Sequence, residues 1–198
     1  MTRALCIVAH PDDETIWMGG TILQKKDWKW TIFSLCRKND LNRMPRFMKV
    51  CKFYGAQGFI GDLDDERLEP LSVFEVIDCI QNYLDTSHYD YMFTHGENGE
   101  YGHKRHEEIH KAVQKLFSLG ALNCTKMYYF SYVAGTESAA HDSAIKIPIA
   151  KQDSDWFVSL TNEQHATKLK IIRDFYGFSD GIFETLSCGK EEAFVRAL

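Results

Sequence analysis

Apolar and polar positions along this chain follow two periods. Short aliphatic and aromatic runs recur, and between them apolar residues repeat at helical spacing. Ala4–Ala9 reads as a first buried strand, and Glu14–Lys26 as a helix with Ile16, Gly20 and Leu23 along one side. Trp28–Cys36 reads as a second strand. Arg43–Tyr54 is a helix stopped by Gly55, since glycine tolerates the left-handed turn past a helix end. Gly58–Leu63 is a short third strand. Ser72–Leu84 is the clearest helix: Ser72 caps it, Glu75 follows three residues later, and Val73, Val76, Ile77, Ile80 and Leu84 make its stripe. Tyr89–Thr94 is strand four, His103–Leu119 a helix, and Lys126–Val133 strand five. A short Lys146–Ala150 segment, a strand at Trp156–Leu160 and a helix over Asn162–Tyr176 complete the series.

Strands alternating with helices predict the α/β class, a Rossmann-like three-layer sandwich with a mainly parallel sheet. Residues 1–198 are expected to form a single domain, because no repeat, linker or low-complexity run divides them. Such sheets bind ligands outside the carboxyl ends of their strands. Neither G-x-G-x-x-G after strand one nor a phosphate-binding loop occurs, so a dinucleotide is not expected.

Composition narrows the partners. Hydrophobic residues are 44% and charged residues 26%, ordinary for a soluble globular protein. A formal net charge of -5 gives no basic excess for neutralising phosphates, which argues against nucleic acid. The N-terminal apolar run meets Asp after a few residues, so neither a signal peptide nor a membrane span is expected. Cys6, Cys36, Cys51, Cys79, Cys124 and Cys188 include no C-x-x-C pair and read as free thiols in a reducing, cytoplasmic setting.

Two clusters carry chemistry. His10-Pro11-Asp12-Asp13-Glu14 follows strand one directly. Three adjacent acids repel one another and resist burial, and a divalent metal would relieve that repulsion. Pro11 biases His10 to an extended backbone, and a carboxylate at the following helix start is favoured by its exposed amides. As plain structure, the same residues would be a helix cap and a surface His. The second cluster, His95 to His106, follows strand four and holds Gly96, Gly99 and Gly102. His103 and His106 lie on neighbouring positions of one helix face. A His from here would complete a His/Asp/His zinc site with a position left for water.

Ala9-His10-Pro11-Asp12-Asp13-Glu14 together with Gly102-His103-Lys104-Arg105-His106 resembles the PIG-L/LmbE-like family of metal-dependent N-acetylglucosaminyl deacetylases. The resemblance covers most of the chain and implies a Rossmann-like fold and a hydrolase. Its reaction would remove an N-acetyl group from an amino sugar or a sugar-linked small molecule. It implies His10, Asp13 and His106 as metal ligands, Zn2+ as the cofactor (two His and a carboxylate also suit Fe2+ or another divalent ion), Asp12 as general base, and His103 as the residue polarising the acetyl carbonyl or stabilising the oxyanion. Glu14 is expected behind the ligands, orienting one of them or bonding to backbone. Arg37 and Arg43 follow strand two and are candidates for contacts to sugar hydroxyls or phosphate, though solvated surface arginine is the commoner role. The chain departs from the family at Arg105, where many members carry an acid, and lacks the Gln expected near Tyr176–Gly181.

Other readings compete. His106-Glu107-Glu108-Ile109-His110 matches H-E-x-x-H, the zinc helix of metallopeptidases, but leaves His10, Asp12 and Asp13 without a purpose. Amide cleavage of another sugar conjugate would use the same site. A non-catalytic sugar-binding protein would not need Asp12. His88, His141 and His165 read as solvent-facing, and His110 as a helix-surface or supporting residue. Phe47, Phe53, Tyr54, Tyr128, Tyr129 and Phe130 read as packing. Asp62, Asp64, Asp65 and Glu66 form an acidic run that could edge the cleft, although such a run is more often a solvated loop.

Overall fold

A computed structural model of the protein describes residues 1–84, 87–139 and 142–197. Its centre is β1, Arg3–Val8, whose side chains divide between two cores. Ala4, Cys6 and Val8 face one core, and Leu5, Ile7 and Ala9 face the other. That two-sided burial is why the run is uniformly apolar. β1 pairs in parallel with β2, Lys29–Cys36, and with β4, Tyr89–Thr94. β3, Gln57–Leu63, flanks β2, and β5, Cys124–Phe130, flanks β4, both parallel. Antiparallel β9, Glu191–Arg196, and β8, Trp156–Ser159, complete the order β3-β2-β1-β4-β5-β9-β8.

Helices cover both faces. α1 (Asp13–Gln24), α2 (Arg43–Tyr54) and α6 (Asn162–Lys170) with its π-helical continuation Ile171–Phe175 lie on the first face. α3 (Val73–Tyr83) and α5 (Lys104–Ser118) lie on the second. The expected α/β, Rossmann-like three-layer sandwich with a mainly parallel sheet is the fold observed. The Ser72–Glu75 capping box starts α3, and Gly55 ends α2 at φ 67°. Two shorter helices, α4 (Gly99–Gly102) and α7 (Phe183–Ser187), belong to the loops around the crevice.

Several boundaries differ from those expected. The run Lys126–Val133 is not one strand. At Ser131, whose N–H donates to Ala193 O at 2.9 Å, the chain leaves the main sheet. It continues as β6, Tyr132–Ala139, which pairs with β7, Asp142–Ala150, in a separate hairpin. The Lys146–Ala150 segment is one end of that hairpin. β9 escaped the sequence reading because Glu191, Glu192 and Arg196 make it look like solvated chain. Yet Glu192 is 0% exposed, with Lys168 Nζ at 2.8 Å. α1 kinks at Met18, which frees the Gly20 and Thr21 N–H groups, and both donate to the Glu192 carboxylate at 2.7 Å. Gly20 is required there, since a Cβ would lie 2.2 Å from Leu160 Cδ2. Phe53, expected as packing, is 48% exposed. All six cysteines are free, and no helix among the described residues is long and apolar enough to cross a membrane.

The chain runs outward from β1 through β2 to β3, then restarts on the other side of β1 with β4. This reversal opens a crevice at the carboxyl ends of β1 and β4. Both chemical clusters begin there.

Glu192 anchors that arrangement by tying β9 to α1. Glu192→Ala should cost about 3–5 kcal/mol, because it strands the buried Lys168 charge, the Gly20 and Thr21 amides and the Thr21 hydroxyl. Thermal unfolding would show this as a Tm drop far larger than for exposed Glu163→Ala; equal drops would show that the pair is dispensable.

Candidate metal centre

β1 delivers His10 to the crevice, and Pro11 and Asp12 turn the chain into α1. Asp12 sits at φ 118°, ψ −31°, a region that costs a non-glycine residue about 1–3 kcal/mol unless its surroundings fix it. Glu14 Oε2 accepts the Asp12 N–H at 3.1 Å, while Arg43 Nη2 donates to Asp12 Oδ2 at 2.7 Å and to Pro11 O at 2.8 Å. Asp13 opens α1. Trp17 Nε1, one turn on, donates to its Oδ1 at 2.9 Å, leaving Oδ2 turned to the histidines.

β4 delivers His95, and the glycine-rich turn after it folds Glu100 back beneath the ring. Gly96 permits this approach, since a Cβ would lie 2.5 Å from Phe130 O. Glu100 Oε2 takes hydrogen bonds from His95 Nδ1 at 2.8 Å and His106 Nδ1 at 2.6 Å, and the two rings stack 3.8 Å apart. His95 and His106 hold the buried Glu100 carboxyl down at about 2 against the upward push of burial. An ionised Glu100 accepts only, so both Nδ1 atoms carry hydrogen. His95 Nε2 spends its lone pair on the Ala9 N–H at 2.9 Å. His106 Nε2 is left free to face β1.

Three donors therefore converge. His10 Nδ1 lies 3.1 Å from Asp13 Oδ2, and His106 Nε2 lies 3.3 Å from His10 Nδ1 and 3.4 Å from Asp13 Oδ2. A zinc ion about 2.0–2.1 Å from each donor would hold them roughly 3.3 Å apart at tetrahedral angles. The donor set fits a divalent metal. On the far side of the His10 ring, Nε2 donates to Asp65 Oδ1 at 2.8 Å. Asp13, His10 and His106 thus each have one further partner behind them (Trp17, Asp65 and Glu100), the arrangement that fixes ligand orientation. His103 caps α5 and lines a cavity of about 190 Å³ with His10, Asp12, Asp13, Arg37, Arg43, Tyr101 and Phe183.

Residues 5–117 match the PIG-L family, GlcNAc-PI de-N-acetylase. The chain belongs to the PIG-L family. A relative from Acanthamoeba polyphaga mimivirus, an uncharacterized protein, is 26% identical over 142 residues, which is 64% of this chain and 62% of that protein. The chain thus spans about three fifths of that relative's length. Among solved structures, a deacetylase of teicoplanin biosynthesis superposes with a TM-score of 0.68 at 14% identity, over 99% of both chains. The A40926 pseudoaglycone deacetylase gives 0.61 at 12% identity, over 89% of this chain and 82% of its own. The hydratase GalB from Pseudomonas putida gives 0.54 at 12% identity, over 100% and 97%. These likenesses establish the fold, and the fold alone spans deacetylation and hydration.

Within this PIG-L chain the sequence-nominated residues His10, Asp12, Asp13 and His103 line one cavity, His106 is buried against His10 and Asp13, and Glu14 accepts the Asp12 backbone N–H. Arg37 and Arg43 line the same cavity and are not free surface residues. Arg37 pairs with Asp65 at 2.6 Å, and Arg43 with Asp12. Sequence reasoning gave no individual role to Glu100, Trp17 or His95, and left Asp65 in an acidic run that could edge the cleft. Arg105, where the family often has an acid, explains its placement: the guanidinium is fully buried, bonds Asp64 and Glu108, and donates to Glu69 O at 2.8 Å. It pins the loop that carries Asp65. His110 does not join the metal donors. It is 4% exposed, with Nδ1 3.0 Å from His95 O, so it supports the turn that follows β4. His88 is exposed, His165 is half-buried against Cys188 O, and His141 lies outside the described residues.

Without metal, the charges distribute unevenly. Burial lowers the His106 pKa, but the Asp13 and Glu100 carboxylates outweigh it and raise it to about 10. Burial pushes the other way on Asp13, which His106 and His10 hold well below the usual carboxylate range. Burial, with His106 and His10, pushes His103 down to about 3, so it enters the neutral range uncharged. Burial raises Asp12 despite Arg43, and raises Glu14 to about 7.

A metal bound through His106 would therefore have to expel its proton at neutral pH. Calorimetry of zinc binding in buffers of different ionisation enthalpy should show proton release near pH 7, and apparent affinity should rise with pH until about 10. Zinc binding with no proton release would exclude His106 as a ligand.

Proposed function

We propose that this protein is a zinc-dependent hydrolase that removes an N-acetyl group from an amino sugar or a sugar-linked small molecule. The observation that carries the reading is the clustering of His10, Asp13 and His106 donors at a small cavity that His10 and Asp13 line together with a separate buried carboxylate, Asp12. Membership of the PIG-L family supports the same reaction, as do the deacetylases among its structural neighbours. Iron(II) would suit the same donors.

His10, Asp13 and His106 would hold the metal, which when bound polarises the acetyl oxygen and makes water easier to deprotonate. Asp12 takes the proton of the attacking water; burial raises its basicity, and the Arg43 pair restrains it. The water oxygen bonds to the acetyl carbon, and negative charge builds on the acetyl oxygen. Neutral His103 donates an N–H to that oxygen. Collapse breaks the C–N bond, and Asp12 returns its proton to the departing amine, giving acetate and the free amino sugar. The cavity of about 190 Å³ beside His10, Asp12 and His103 receives the acyl group and its nitrogen. The sugar extends over Arg37 and Arg43, whose remaining N–H groups contact its oxygens.

Acetate release from a panel of N-acetyl sugars, with metal content measured in parallel, tests this reading. Asp12→Asn should keep the metal and lose about 10²–10⁴-fold in turnover; unchanged turnover would sink the base assignment. Asp13→Ala should lose the metal while His110→Ala keeps it. The opposite pattern in the metal assay would hand the site to the H-E-x-x-H reading.

A further inference from the structure

Glu14 and Arg43, the two side chains that hold Asp12, are each contacted from a segment beyond the 5–117 family match. After the π-helical turn Ile171–Phe175, Tyr176 is 2% exposed and donates its hydroxyl to Glu14 Oε1 at 2.8 Å. The other Glu14 oxygen accepts the Asp12 N–H, and Thr15 Oγ1 completes Oε1 at 2.5 Å. Two residues later the Phe178 ring lies under the Arg43 guanidinium, 5.0 Å from its centroid. Arg43 in turn grips the Asp12 carboxylate and the Pro11 carbonyl. Gly177 makes the step between the two rings possible. It sits at φ 79°, and a Cβ there would meet Arg46 Nη1 at 2.0 Å. Arg46 itself donates to Tyr176 O.

We propose that Tyr176 and Phe178 are positioning residues for Asp12, the first through Glu14 and the Asp12 amide, the second through Arg43 and the Asp12 carboxylate. The inference rests on Asp12 as the base. Its physical ground is the Asp12 backbone at φ 118°, which an Asp adopts only when held. Released from Glu14, the amide would let the residue relax toward negative φ and swing the carboxylate away from the water it must deprotonate. A displacement of that order lowers turnover without altering how substrate or metal binds. An ordinary core role for Tyr176 would instead lower stability alone.

Tyr176→Phe keeps the ring and removes the hydroxyl; Phe178→Leu keeps an apolar side chain and removes the ring face. With the zinc-loaded protein and N-acetylglucosamine or its simple glycosides, each should lower kcat by about 10- to 100-fold with KM and zinc content unchanged. Placed in an Asp12→Asn background, Tyr176→Phe should add no further loss. In the metal-free protein, deuterium exchange over residues 9–15 should quicken in Tyr176→Phe, while that over 89–94 stays the same. Unchanged kcat, equal losses in both backgrounds, or exchange that rises evenly along the chain would each overturn the proposal. Asp12→Asn at full turnover would remove the base assignment, and this proposal with it. If no sugar is turned over, the exchange comparison decides by itself.

Discussion

Four carboxylates, those of Asp12, Asp13, Glu14 and Glu100, are buried to 4% exposure or less around the ends of β1 and β4. Buried negative charge on this scale is unfavourable unless each group finds cations or donors. That constraint organises everything nearby. Glu100 is satisfied by His95, His106 and the Gly96 amide, Asp13 by Trp17, His10 and His106, and Asp12 by Arg43. Glu14 is satisfied by hydroxyls and an amide, and its pKa is correspondingly the one that rises to about 7. The same pairing that makes the charges tolerable also sets the tautomers and directions of the putting-forward atoms, Nδ1 of His10 and Nε2 of His106.

A division of labour follows. The parallel sheet brings His10 and His95 to the switch point of its strand order, so the crevice exists before any loop is added. The loops then decide which nitrogen faces which partner. Arg105 on α5 shows how a buried cation is absorbed, its charge met by Asp64 and Glu108. The loop thereby held carries Asp65 to the back of His10. The C-terminal segment closes the other side, where Tyr176 and Phe178 reach the supports of Asp12.

Much of this was legible in the sequence. The apolar run Ala4–Val8 followed at once by His10, Asp12 and Asp13 marked a strand end bearing charge that only a ligand would justify, and the Ser72–Glu75 box marked its helix to the residue. β9 was not legible, because Glu192 looks like solvent chemistry and is a buried partner of Lys168. Asp65 was hidden for the same reason. A local pattern of acids reads as a wet loop, and nothing near Asp65 in sequence reveals that Arg105 and His10 lie on either side of it.

The sequence by itself determined the strand–helix alternation, the two clusters and their place at strand ends, since periodicity and turn chemistry act over a few residues. Only the tertiary structure decided which imidazole nitrogen is free, that His95 supports while His106 faces the donors, and that Tyr176 reaches Glu14. Those choices depend on hydrogen bonds between residues 86 to 162 positions apart, such as Ala9 to His95 and Tyr176 to Glu14, whose directions no local pattern encodes.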